Sequence, residues 1–98
     1  MRTLELASGN VYDCDWCGAV DGVLTANLVH ETDLLAVVAA FRNPESTKGM
    51  TFHAGEDQDQ TFCGYTRLRM VQLNGWPTGG VLVSLEQDIY NDQIDGRN

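Results

Sequence analysis

Cations are scarce in this chain, with six Lys and Arg against fourteen Asp and Glu, a formal net charge of −8 over 98 residues. Such a balance repels a phosphate backbone unless the few cations cluster. Arg67 and Arg69, two residues apart on one predicted strand, are too few to neutralise one and are expected to face acidic neighbours on adjacent strands. Nucleic acid is therefore not an expected partner. Long apolar runs are also missing: none approaches the roughly 20 residues that cross a bilayer. The N-terminus carries no basic segment followed by an apolar one, so the expected place of synthesis is the cytoplasm, with no membrane partner. Residues 75–80 hold Trp76 and Pro77 and lead into a predicted strand, whereas phosphate-cradling loops open onto a helix N-terminus. Ser8, Ser46 and Ser84 lack the strand-to-helix turn that presents a nucleophile.

Cysteine is limited to three residues, which cannot all pair within one chain. Reduced thiols are the expectation for a cytosolic protein. Cys14 and Cys17 form a Cys-x-x-Cys spacing, and together with Cys63 and His53 they would make a Cys3His set suited to tetrahedral zinc. That is the alternative reading. Residues three apart on a strand point to opposite faces, so Cys14 and Cys17 share a metal only if the chain turns between them, and the alternation from Val11 to Trp16 argues for a strand. A dithiol redox site needs a helix directly after the motif, and no helical pattern follows Cys17. Structural cysteines, with no cofactor, are the leading expectation. His30 precedes a predicted helix, where capping or a surface role is commoner than catalysis. His53 ends a predicted strand among acidic residues and would act as a base only inside a cleft. No catalytic residue is assigned and no enzyme is expected.

One helix-period segment does stand out. Leu34, Leu35, Val37, Val38 and Phe41 recur at three- and four-residue steps and predict a helix over about 32–42, with Thr32 as N-cap, Asp33 at the positive end of the dipole and Pro44 marking the stop. Such a stripe needs a partner surface, which the strands supply. Extended segments are predicted at 3–7, 11–17, 22–29, 50–53, 61–73 and 81–85. Ser8-Gly9-Asn10 suits a tight turn, the polar loop 55–60 suits a second hairpin, and 75–80 is another turn. The 61–73 segment would run roughly 40 Å if fully extended, and Gly64 is its expected bend. The result is an α+β domain over 1–86, about six mostly antiparallel strands with one helix packed on the sheet. Residues 87–98 form an acidic tail in which Ile89, Tyr90 and Ile94 are scattered.

Gly9-Asn10 and Val11-Tyr12 before Trp16, then Phe41-Arg42-Asn43-Pro44 with Thr47, Gly64-Tyr65-Thr66 before a long strand, and finally residues 81–85 occur in an order that resembles small proteins encoded in prophages of Gram-positive gut bacteria. The resemblance spans most of residues 3–86 and implies a virion component or accessory protein, with no catalytic residues to carry over. The paired cysteines and the acidic tail do not match its pattern. Its implied partners are further copies of the chain or other virion proteins, with the virion as destination. Strand edges and a free terminus suit such assembly, and Trp76, Tyr90 and Ile89 are the interface candidates, since aromatic anchors dominate contacts. The remaining alternative is a small-molecule binding module with a pocket between helix and sheet, lined by Tyr65 or His53.

Overall fold

The computed structural model describes residues 1–75 and 79–88, with Asp33 described by its backbone alone. Strands β1 (Thr3–Glu5), β2 (Val11–Val20) and β3 (Val23–Leu28) come first, then helices α1 (Leu34–Phe41) and α2 (Pro44–Thr47), then strands β4 (Gly49–His53), β5 (Gln60–Cys63), β6 (Arg67–Leu73) and β7 (Val81–Glu86). All seven strands join one sheet in the order β5-β4-β1-β2-β3-β7-β6, and every neighbouring pair is antiparallel. The architecture is the expected α+β one, with one more strand and one more helix than the sequence pattern suggests.

The extra strand comes from the 61–73 segment, which is not one strand. Gly64 adopts φ +84°, a conformation that glycine reaches without strain, and the chain breaks there into β5 and β6 at opposite edges of the sheet. Six strand spacings in a flat sheet would separate those edges by about 29 Å. The four Cα steps from Cys63 to Arg67 reach at most about 14 Å, so the sheet must roll up on itself. Gly64 sits between the two ends of the roll: its N–H donates to the Lys48 carbonyl at 2.9 Å, and its carbonyl accepts from the Asp88 N–H at 2.8 Å.

The long strand β2 links the two halves of the roll. Its first residues pair with β1 and its remainder with β3, and the register slips between Cys14 and Trp16. Asp15 is the extra residue of a bulge, a device that bends a strand and sharpens its twist. The β2–β3 turn is Asp21-Gly22, both with positive φ (53° and 77°), as a two-residue primed hairpin requires. That turn extends β2 to Val20, beyond the end expected at residue 17.

Inside the roll lie Leu4, Tyr12, Leu24, Ala26, Leu28, Met50, Phe52, Val81, Val83 and Leu85, the inward residues of alternating strands. Val81, Val83 and Leu85, two residues apart, share the inward face of β7, an interior strand with β6 outside it. Helix α1 covers this core with Val37 and Phe41, whose ring lies 6.0 Å from that of Tyr12. Two expectations for the helix fail. Leu35 is 85% exposed, because adjacent residues on a 3.6-residue repeat are 100° apart and Leu34 takes the inward position. Thr32 is not the N-cap: it lies within a 3-10 turn, Glu31–Asp33, and His30 holds the cap position with no side-chain cap bond. Pro44 ends α1 and also starts α2 at its first turn, where Asn43 Oδ1 accepts from the Glu45 N–H at 3.1 Å.

Candidate functional site

Because successive residues of a strand point to opposite sides, the rolled sheet has an outer face, and its two halves differ in character. On β2, β3, β7 and β6 the outward positions include the apolar Trp16, Val20, Val23, Leu82 and Met70, interspersed with Thr25, Asn27, Ser84 and Gln72, as their pairing register dictates. Trp16 is 52% exposed and Val20 71% exposed. The indole of Trp16 lies across Gly18, where an added Cβ would stand 2.7 Å from the ring. Glycine at this position lets the ring lie flat on the strand and present a broad apolar surface. Arg67 and Arg69 border the patch and reach Glu86 at 2.8 and 3.8 Å, the cross-strand pairing their spacing implies.

On β5, β4 and β1 the outer face is polar. His53 stands at the end of β4 between two carboxylates, with Nε2 3.0 Å from Glu5 Oε1 and Nδ1 2.9 Å from Asp59 Oδ2. The hydrogen bonds to Glu5 and then Asp59 raise its pKa above the usual 6.5. Asp13 lies on the same face, across Thr3 from His53, and holds His30 Nε2 at 2.8 Å. No ligand-sized cavity opens among the described residues, so His53 sits on a surface and not in a cleft.

The four members of the alternative zinc set are not brought together. Cys14 and Cys17 are both buried, 1% and 2% exposed. The expectation that they face opposite sides is overturned by the Asp15 bulge, whose extra residue turns Cys17 onto the core side with Cys14. Burial pushes the two thiols up to about 11 and about 12. Cys63 and His53 share the opposite, outward face of β5 and β4, and among the described residues no group of three or more His, Cys, Asp or Glu side chains is placed to hold a metal. The interface candidates Trp76, Tyr90 and Ile89 lie outside the described residues. The exposed tryptophan within them is Trp16, which the sequence did not mark as an interface candidate. Its signal was available: Val11, Trp16 and Val20 are large apolar side chains outside the inward set.

No protein-family model, curated protein or solved structure matches the chain. Among the described residues no helix is long and apolar enough to cross a membrane.

Proposed function

We propose that this chain is a non-enzymatic phage or prophage structural or accessory protein that works through self-association and contacts with other virion proteins. The observation that carries the reading is the set of outward apolar side chains on one face of β2, β3, β7 and β6, with Trp16, Val20 and Met70 exposed, Val23 beside Val20, and Leu82 one strand beyond Asn27 from Trp16, interspersed with Thr25, Asn27 and Ser84. Large apolar side chains grouped on one solvent face mark contact surfaces, whereas singly scattered ones need no explanation. Trp16 is the natural anchor, since tryptophan contributes most when a partner excludes water around it. The resemblance of the sequence to prophage-encoded proteins points to the same class of role.

The test is solution mass by size-exclusion chromatography with light scattering over a wide concentration range, on the natural chain and on Trp16→Ser. A discrete oligomer that Trp16→Ser dissociates supports the reading. A chain that remains monomeric at high concentration and captures no virion protein overturns it.

A further inference from the structure

A neutral imidazole has one N–H and one lone pair, while an ionised carboxylate only accepts hydrogen bonds. His53 has a carboxylate oxygen within 3.0 Å of each ring nitrogen. Both contacts are satisfied together only when both nitrogens carry a proton, so the geometry is that of the imidazolium. The two carboxylates come from parts of the chain with different freedom. Glu5 lies on β1, paired on both sides by β2 and β4. Asp59 lies in the loop between β4 and β5, directly before the edge strand, where the register carries it opposite His53. That loop contains three successive residues with positive φ, Gly55 at 91°, Glu56 at 52° and Asp57 at 61°. The two non-glycine residues hold a conformation that costs free energy and persists only where surrounding contacts enforce it.

We propose that His53 is a proton-operated latch: as an imidazolium it ties the 54–59 loop to β1 through Asp59 and Glu5, and on losing its proton it releases Asp59 and the loop that leads into the β5 edge. Deprotonation leaves one nitrogen lone pair facing a carboxylate oxygen, which is repulsive. The partner that gives way is the one on the strained loop and not the one inside the sheet. Among the described residues, Glu5 from β1 and Asp59 from the loop are the charged groups in contact with the ring; Glu56 and Asp57 lie earlier in the same loop, and Asp13, paired with His30, lies one strand beyond Thr3. The sign follows from the direction of the shift. A histidine whose pKa is raised in the folded state adds stability that is complete below the unfolded value of 6.5 and is lost as pH rises through the folded value.

The latch makes no use of the apolar patch, so its test stands apart from that of self-association. The whole chain, labelled with nitrogen-15, is titrated by NMR from about pH 5 to about pH 9, a range that brackets the imidazole transition. At the acid end both ring nitrogens of His53 should show bound protons. The midpoint should fall above 6.5, and the amides of Glu56, Asp57 and Asp59 should shift with the same midpoint. Asp59→Asn, an exposed substitution, should lower the midpoint and uncouple the loop amides from it. Glu5→Gln should lower the midpoint while leaving the loop signals coupled. A midpoint at or below 6.5, or loop amides that stay silent while His53 titrates in the natural chain, overturns the proposal.

Discussion

Thr47, the last residue of α2, is fully buried and its Oγ1 has no hydrogen-bond partner among the described residues. An unsatisfied buried hydroxyl costs roughly 1–3 kcal/mol, and valine has the same shape without it. Thr47→Val is expected to raise stability by about 1 kcal/mol in urea denaturation. Gly80 is constrained in the other direction. Its φ is +89° and an added Cβ would stand 2.4 Å from the Leu28 carbonyl oxygen, so Gly80→Ala should lose about 1–3 kcal/mol, the usual cost of a residue forced into strained backbone. The thiols divide by location. Cys63 is exposed, while Cys14 and Cys17 are buried, with their pKa values raised to about 11 and about 12. A thiol reagent at neutral pH should modify Cys63 rapidly in the folded protein and reach the other two only after denaturant is added. Rapid labelling of Cys14 or Cys17 under native conditions would contradict their placement in the core.

Helix α1 depends on its inward stripe more than on its own propensity, because eight residues form a marginal helix in water. Phe41→Ala should cost about 3–5 kcal/mol by opening a cavity against Tyr12, whereas Leu35→Ala, on the solvent side, should change stability by less than about 0.5 kcal/mol. Equal effects in thermal unfolding would contradict this orientation, and a larger loss at Leu35 would mean that the helix faces the other way. Elements carried by local patterns were legible in the sequence. The helix, the turn at Gly9-Asn10, the 55–60 hairpin loop and the inward set on β7 all follow from side-chain period and turn chemistry. What escaped was non-local or shifted by one residue. A bulge at Asp15 reverses the side to which Cys17 points, and alternation counted along the sequence cannot register it. Residues 61–73 read as one strand since nothing local says that their halves pair with different neighbours. The β2–β3 hairpin had a clear signal in Asp21-Gly22 that strand propensity around it obscured. At the candidate site, His53 was recognised among acidic residues, but its contact with Glu5, 48 residues away, required the fold.

At the scale of the molecule, a charge of −8 opposes contact between copies, whereas the proposed self-association would draw on the outward apolar side chains around Trp16. Salt separates the two. Raising ionic strength from about 0.1 M to about 1 M shortens the screening length from about 10 Å to about 3 Å, so association through the patch should tighten as repulsion falls. Sedimentation velocity across that range reads the change, and weakening with salt would mean that ion pairs and not apolar contact hold the copies together. The rolled sheet also orders the events by which the chain reaches its final form. Strands β5 and β6 are neighbours in sequence but never partners, so they cannot zip together as the first hairpin. The β2–β3 and β4–β5 hairpins are free to form locally. The pairing of β1 with β4 and of β3 with β7 joins distant parts of the chain and is slow by nature, in the range of milliseconds to seconds. Only after both have formed do residues 64–66 pull taut. A backbone cut there would leave every strand pair intact but remove the covalent tether between the two edges of the sheet, so that their closure would rest on the Gly64 hydrogen bonds to Lys48 and Asp88 and on the buried Tyr65.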